Sequence, residues 1–128
     1  MIAFTVPGDP IPWERARTGG GHHVTPRRTR DWQALVKHHA LNAIRPPDRR
    51  HGGPVSIRLR FWRQTRRACD WDNLAKSVCD ALNGIAWEDD SQIDIALVTR
   101  GHDPHFPRVD VEITHHDAPG RALPESEP

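Results

Sequence analysis

The sequence lacks any long apolar run and is poor in cysteine. Only 36% of its 128 residues are hydrophobic, and no apolar stretch approaches the roughly 20 residues of a membrane-spanning helix. The start, Met1 to Pro7, also lacks the basic and long apolar regions of a signal peptide. We therefore expect a cytoplasmic protein with no membrane partner. Disulfides are rare in that compartment, so Cys69 and Cys79 are expected to be free thiols.

Zinc-ligand spacing and internal repeats are missing as well. Histidines occur as neighbouring pairs, at 22–23, 38–39 and 115–116, but no CxxC or HxxxH spacing accompanies them, so a structural zinc site is not predicted. The length fits a single domain. We assign that domain to residues 1–117 and expect the Pro-, Gly-, Glu- and Ser-rich residues 118–128 to be a disordered tail.

Charge is distributed very unevenly along the chain. The net charge of +1 conceals 14 Lys and Arg against 4 Asp and Glu in residues 1–67, which is +10, and 4 against 13 in residues 68–128, which is −9. A basic half attracts a polyanion, and an acidic half can hold cations. A metal-dependent enzyme acting on nucleic acid needs both halves, whereas a simple nucleic-acid-binding module needs only the first.

Periodicity predicts an α/β (α+β) domain in which a small mixed sheet of about four strands packs with two main helices. Alternating apolar residues predict strands at 2–6, 55–62, 93–100 and 109–114, the last two forming an antiparallel pair across the 101–107 turn. Thr25, as a capping hydroxyl, and Pro26, as the first helical residue, predict a helix to about Ile44. Its inner side is predicted to carry Trp32, Leu35, Val36, His39, Ala40 and Ala43. We expect residues 15–23 to form a basic, flexible loop and residues 45–54 a linker.

The most informative stretch runs from Cys69 to Gln92 and carries six carboxylates and one lysine. Asp72 is predicted to cap a helix that ends at Asn83-Gly84 and buries Leu74, Val78, Ala81 and Leu82. Asp72, Lys76 and Asp80 line another face of it, four residues apart. After the turn, Asp89 and Asp90 can return beside Asp70. Converging acids repel one another unless a cation neutralises them, and carboxylates select Mg²⁺ or Mn²⁺. A solvated acidic face is the alternative, but Trp71 and Trp87 beside the acids disfavour it.

The sequence motifs of this stretch resemble those of the RusA family of Holliday junction resolvases. Asp-x-Asp-Asn-Leu-x-Lys at 70–76, Asp-Ala-Leu-Asn-Gly at 80–84 and Asp-Asp-x-Gln-Ile at 89–93 carry the resemblance, and Pro7-Gly8-Asp9-Pro10-Ile11-Pro12 with Arg15 and Arg17 is similar to the family's opening. The similarity covers roughly residues 4–115. It implies a RusA-like, homodimeric, Mg²⁺-dependent endonuclease that cuts four-way DNA junctions in recombination and repair.

The resemblance also implies roles for particular residues. The metal ligands fall on Asp70, Asp72 and Asp90, and the essential lysine falls on Lys76. Asp89 is an alternative to Asp90 as the third ligand, because the two are adjacent. Otherwise Asp80 and Asp89 are expected to lie next to the ligands without binding the metal themselves. Basic residues near the opening, on the first helix and before the acidic stretch are the expected DNA contacts: Arg15, Arg17, Arg27, Arg28, Arg66 and Arg67.

Two alternatives stay open at the level of sequence. One is a Mg²⁺-dependent nuclease for other branched DNA, such as forks or flaps. The other is a non-catalytic DNA-binding protein whose acids hold a structural ion. Lys76 likewise has two interpretations, a charge that stabilises the phosphoryl group or an ordinary ion pair with Asp72 or Asp80 on the helix surface.

Overall fold

The computed structural model describes residues 1–14, 17–19 and 22–116, with only the backbone described for 17–19 and 22–24. The predicted tail and the predicted DNA contact Arg15 lie outside these residues, and so does the side chain of Arg17. In chain order the elements are β1 (Ile2–Pro7), β2 (Arg17–Gly19), β3 (His22–Val24), α1 (Arg27–Ala43), β4 (Val55–Arg63), α2 (Trp71–Leu82), a 3₁₀ helix (Asp90–Gln92), β5 (Ile93–His102) and β6 (Arg108–His115).

Four strands form one mixed sheet in the order β1-β6-β4-β5, and two helices pack against one of its faces, which confirms the predicted α+β class. β4 lies parallel to β5 and antiparallel to β6, and β1 lies antiparallel to β6. The short strands β2 and β3 pair with each other, so a hairpin stands where a flexible loop was predicted. No helix among residues 1–14, 17–19 and 22–116 is long and apolar enough to cross a membrane.

The predicted hairpin of the last two strands is wrong, because β4 lies between β5 and β6. All four apolar residues of β4's inner face, Val55, Ile57, Leu59 and Phe61, are buried, so β4 gains most from a central position. The 101–107 connection therefore crosses the end of β4, and the Asp103 amide donates to the Arg63 carbonyl at 2.9 Å. A Cβ on Gly101 would lie 2.6 Å from the ring of Trp62, which explains glycine at this crossing.

The core lies between the helices and the inner face of the sheet. α2 contributes the predicted stripe of Leu74, Val78, Ala81 and Leu82, all buried, and ends at Leu82 before Gly84 at φ +79°. From α1, Trp32, Val36 and Ala40 are buried, whereas the predicted inner residue Ala43 is exposed. Cys69 and Cys79 are free thiols, as predicted.

Two sequence interpretations change with the structure. α1 begins at Arg27, with Pro26 at the N-cap and no side-chain capping bond, so the predicted Thr25 cap is wrong. Trp87 is fully buried, with its indole N–H donating to Asn83 Oδ1 at 2.7 Å. It belongs to the core and is not an aromatic companion of the acids, whereas Trp71 is 56% exposed beside them.

The segment between α1 and β4 is anchored at several points, although it has the composition of a linker. Arg49 donates to the carbonyls of Leu41 and Ile44 and so satisfies the open C-terminal end of α1. Arg50 pairs with Glu88 at 2.9 Å. The Gln92 side chain donates to the His51 and Gly53 carbonyls and thereby ties this segment to the 3₁₀ helix.

Candidate functional site

The N-cap of α2 is Asp70, and the predicted cap at Asp72 is wrong. Asp70 has the extended N-cap backbone, but its carboxylate makes no capping hydrogen bond. Asp72 lies inside the first turn, where its Oδ1 accepts from the Asn73 amide at 3.0 Å. Both side chains are exposed, and the positive end of the helix dipole favours negative charge at both positions.

Neither Asp70 nor Asp72 forms an ion pair with a cationic side chain that the structure describes. Within the described part of the chain, both carboxylates at the start of α2 are therefore free of charge pairing, and only that of Asp72 accepts a hydrogen bond from a first-turn amide. Such groups are available to bind a cation.

Asp89 and Asp90 differ sharply in their surroundings. Asp89 caps the 3₁₀ helix: its Oδ2 accepts from the Ser91 amide at 3.0 Å, and the Gln92 side chain accepts from the Asp89 amide at 2.9 Å. Hydrogen bonds to the Asp89 carboxylate, first from the Ser91 side chain and then from the Ser91 amide, lower the pKa of this carboxyl. Asp90 has no part in this capping box and is half-buried.

The buried thiol of Cys79, in the second half of α2, has a raised pKa. Burial is the main cause that raises its pKa to about 12, and the charges of Asp90 and Asp80 raise it further, while Lys76 opposes them. Asp90 therefore lies close enough to α2 to act on the same buried group as Asp80 and Lys76. The sequence predicts that Asp89 and Asp90 return beside Asp70. Asp90 acts on a thiol in the second half of α2, so its position beside Asp70 stays a prediction.

Lys76 lies between an acid and an aromatic ring. Its Nζ is 3.5 Å from Asp80 Oδ2 and 5.1 Å from the centroid of the Trp13 ring. Trp13 is fixed in turn, because its amide donates to the Asn73 carbonyl at 2.8 Å. The Lys76 side chain is still 48% exposed, so the ammonium group can reach a ligand while these contacts hold its stem.

The basic residues expected to contact DNA fall into two groups. On α1, Arg27 lies 3.7 Å from Asp31 and Arg28 lies 2.5 Å from Glu14, so both already have an acidic neighbour near the unfavourable positive end of the helix dipole. Arg66 and Arg67 precede Asp70, are exposed, and have no carboxylate within 4.0 Å among the side chains described.

Sequence reasoning missed three residues of this region, namely Trp13, Arg100 and His102. Trp13 follows the Pro-rich opening and gives no periodic signal; its role depends on the fold bringing residue 13 to α2. Arg100 and His102 lie at the end of β5, and Arg100 Nη1 donates to the Cys69 carbonyl. An arginine at the end of a strand carries no local sign that it reaches another segment.

The donor chemistry of the acids fits a hard divalent cation, since exposed carboxylates are oxygen ligands that Mg²⁺ and Mn²⁺ accept. Within the described residues, however, no three His, Cys, Asp or Glu side chains are grouped closely enough to hold an ion. The carboxylates are thus suitable ligands for a divalent ion. To bind it together, Asp70, Asp72 and Asp90 would have to move closer to one another.

Comparison with known proteins identifies the class first. A family model described as endodeoxyribonuclease RusA matches residues 7–114, which is most of the chain. No curated protein gives a significant match. The chain belongs to the RusA endodeoxyribonuclease family, in agreement with the resemblance carried by residues 70–76, 80–84 and 89–93.

Proposed function

We propose that this protein is a Mg²⁺-dependent endonuclease that resolves Holliday junctions by paired phosphodiester cleavage in DNA recombination and repair. The observation that carries the proposal is the start of α2. There two exposed carboxylates without an ion pair among the described side chains, Asp70 and Asp72, directly follow the exposed arginines Arg66 and Arg67. An enzyme that holds a cation against a phosphodiester needs acidic side chains to bind the cation and basic side chains close by to bind the phosphate.

Asp70, Asp72 and Asp90 would hold the ion. When bound, Mg²⁺ lowers the pKa of a coordinated water and offsets charge on the phosphoryl oxygens. Asp90 is the better third ligand, because the carboxylate of Asp89 is already used to cap the 3₁₀ helix. Asp80 lies against Lys76 instead and is expected to orient it.

Lys76 supplies a fixed positive charge to the phosphoryl group as negative charge develops there. A charge that is already positioned does not need to reorganise during the reaction, which is why such groups contribute strongly to rate. Contact with Asp80 and Trp13 restricts the long side chain before substrate arrives. The ion pair with Asp80 and the catalytic role are therefore compatible.

Homodimerisation follows from the symmetry of the substrate, since two opposed strands of a four-way junction must be cut and a two-fold dimer presents two matched sites. The free edge of β5 supports it. β5 is an edge strand on which Ile95 and Leu97 are 39% and 48% exposed, and long apolar edge strands are normally covered.

Sedimentation tests this interface. It should give a dimer for the parental protein and for Thr99→Glu, and a monomer for Leu97→Glu on the same strand face. A dimeric Leu97→Glu protein would move the interface elsewhere.

Cleavage assays on defined DNA test the proposed activity. The protein is incubated with an end-labelled four-way junction, a fork, a flap and a plain duplex, with Mg²⁺, with Mn²⁺ and with EDTA. We expect symmetric cuts in two opposed junction strands that need the divalent ion. Faster cutting of forks or flaps would make the protein a nuclease for other branched DNA. Junction binding without cleavage in either metal would make it a non-catalytic DNA-binding protein.

A further inference from the structure

The side chain of Gln92 joins the second acidic segment to a distant part of the chain. Its Oε1 accepts from the amides of Glu88 and Asp89, each at 2.9 Å. Its Nε2 donates to the carbonyls of His51 at 2.7 Å and Gly53 at 2.8 Å. A glutamine amide has two acceptor lone pairs and two donor hydrogens, so this side chain makes every hydrogen bond open to it.

The backbone that accepts from Gln92 is itself fixed to the end of the sheet. His51 Nε2 lies 2.8 Å from the carbonyl of His116, the residue that follows β6, and the His116 amide donates to the Pro54 carbonyl at 2.9 Å. A Cβ on Gly53 would lie 2.9 Å from the same His116 carbonyl, so only glycine allows so close an approach. The partners of Gln92 therefore have a fixed position relative to the sheet.

Residues 88–92, which we call the acidic turn, contain Asp90 between the two amides bound by Gln92 and Gln92 itself. One side chain thus holds the backbone on both sides of Asp90. Asp90 is half-buried, and its charge acts on the thiol of Cys79 in α2. The cap at Asp89 acts differently, because its hydrogen bond stays within the turn and does not connect it to another segment.

Other contacts between the two segments are weaker or lie ahead of the turn. Arg50 pairs with Glu88 at 2.9 Å, but both side chains are about half exposed or more, and exposed ion pairs contribute little. The Arg50 amide donates to the Ile85 carbonyl at 2.8 Å, which fixes the chain before the acidic turn begins. The partly buried bonds from Gln92 fix the end of the turn.

We propose that Gln92 is a positioning residue for the metal site, which holds the acidic turn so that Asp90 can serve as the third ligand. This rests on the proposed metal-dependent nuclease function and adds to it the residue that orders one of its ligands. A ligand segment that is already ordered loses less conformational freedom when an ion binds. Replacing a residue that orients a metal ligand typically lowers metal affinity roughly 10- to 100-fold.

Mn²⁺ binding by the purified protein without DNA tests this role independently of cleavage. The dissociation constant of Mn²⁺ is measured by electron paramagnetic resonance of the free ion for the parental protein, Gln92→Met, Asp90→Asn and the double variant. Methionine is similar in length to glutamine but cannot replace these hydrogen bonds. We expect Gln92→Met to raise the dissociation constant about tenfold. It should have no further effect in the Asp90→Asn background, because a residue that acts through a ligand needs that ligand.

Gln33→Met is the matched control. The Gln33 side chain also donates to a backbone carbonyl of another element, that of Ser77 in α2, at 3.0 Å. Its replacement should lower the melting temperature and leave Mn²⁺ affinity unchanged. Gln92→Asn serves if Gln92→Met is unstable: its amide is on a shorter stem, cannot reach all four partners, and should weaken Mn²⁺ binding by a smaller factor.

Three results would overturn the proposal. One is parental Mn²⁺ affinity in both Gln92 variants. The second is an equal loss of affinity in Gln33→Met or in the Asp90→Asn background, which would show a general effect of stability. The third is a parental protein that does not bind Mn²⁺.

Cleavage of a labelled junction separates this proposal from that of the function. Gln92→Met should need about tenfold more Mg²⁺ for half-maximal cleavage and approach the parental rate at saturating Mg²⁺, with unchanged junction affinity in EDTA. If the Mn²⁺ results hold but the parental protein does not cut, the nuclease proposal fails and the positioning role stands. If the parental protein cuts and Gln92→Met has the parental Mg²⁺ requirement and Mn²⁺ affinity, the positioning role fails and the nuclease proposal stands.

Discussion

Two helices of this protein begin after an aspartate, and the two aspartates behave differently. Asp89 caps the 3₁₀ helix through a complete capping box, whereas Asp70 stands at the N-cap of α2 without using its carboxylate. An N-cap carboxylate usually accepts from the first free amides of its helix. The region around Asp89 thus uses an acid for structure, and the region around Asp70 has an acid left for a ligand.

The largest effect is expected at the start of α2. Asp70→Asn and Asp72→Asn should each reduce junction cleavage to background, while junction binding stays intact or becomes tighter, because each change removes a ligand charge and also removes repulsion toward phosphate. Single-turnover cleavage and gel-shift binding check this, with Asp94→Asn as the control, since Asp94 is exposed on β5. Loss of binding by both variants, with normal folding, would count against a ligand role.

Lys76 should give the next largest effect. Lys76→Ala is expected to lower turnover roughly 10²- to 10³-fold, as loss of one positioned charge typically does, and Lys76→Arg should restore little of it. The chain's other lysine, Lys37, is exposed on α1 and provides the matched control. If Lys76 serves only as an ion pair with Asp80, the change would cost a few tenths of a kcal/mol in stability and leave turnover near the parental rate.

Arginines of the amino-terminal half should dominate the salt dependence of binding. Replacing Arg15 and Arg17 together with alanine is expected to flatten the log–log slope by about 0.9 for every phosphate that these side chains neutralise. Replacing Arg45 and Arg60, both exposed, makes the same change in net charge and should leave the slope as it is. Equal slopes for the two double variants would assign the phosphate contacts to other residues.

The smallest effect concerns pH and depends on a pair of histidines. Burial, followed by the charge of His51, lowers the pKa of His115, whose ring stacks on His51 at 4.2 Å and whose Nε2 lies 3.0 Å from the Ala86 carbonyl. A lowered folded pKa means that the unfolded chain binds the proton more tightly, so this stability is present above about pH 6.5 and is lost as pH falls. Melting temperatures between pH 7.5 and 5.5 should therefore fall.

His115→Asn should weaken that pH dependence, while His105→Asn, on an exposed turn, should not. A parental protein whose melting temperature does not change over this range would show that the histidine pair contributes nothing to the pH response.

Local pattern determined much of the fold but not the neighbours of each strand. Alternation located β4, β6 and the buried stripe of α2, since it records which face of an element is apolar. It does not record pairing, so β4 between β5 and β6 was missed, and the hairpin of β2 and β3 lacks the apolar alternation of a strand.

For the candidate site, the sequence likewise shows the local motifs but not the residues that the fold brings to them. Residues 70–76 and 89–93 are recognisable because their acids and lysine are close in sequence. The sequence does not show that Asp89 caps the 3₁₀ helix and Asp90 does not, because capping depends on where a helix starts. Trp13 and Arg100 reach the site from distant parts of the chain through the fold alone.

The central claim is that Asp89 caps a helix while its neighbour Asp90 binds the metal ion. It is tested most directly by making the same chemical change at both positions, Asp89→Asn and Asp90→Asn. Cleavage of a labelled four-way junction in Mg²⁺ is measured under single-turnover conditions, with melting temperature alongside. Asp90→Asn should lose cleavage with little change in stability, and Asp89→Asn should keep cleavage with a lower melting temperature. An inactive Asp89→Asn beside an active Asp90→Asn would contradict the account.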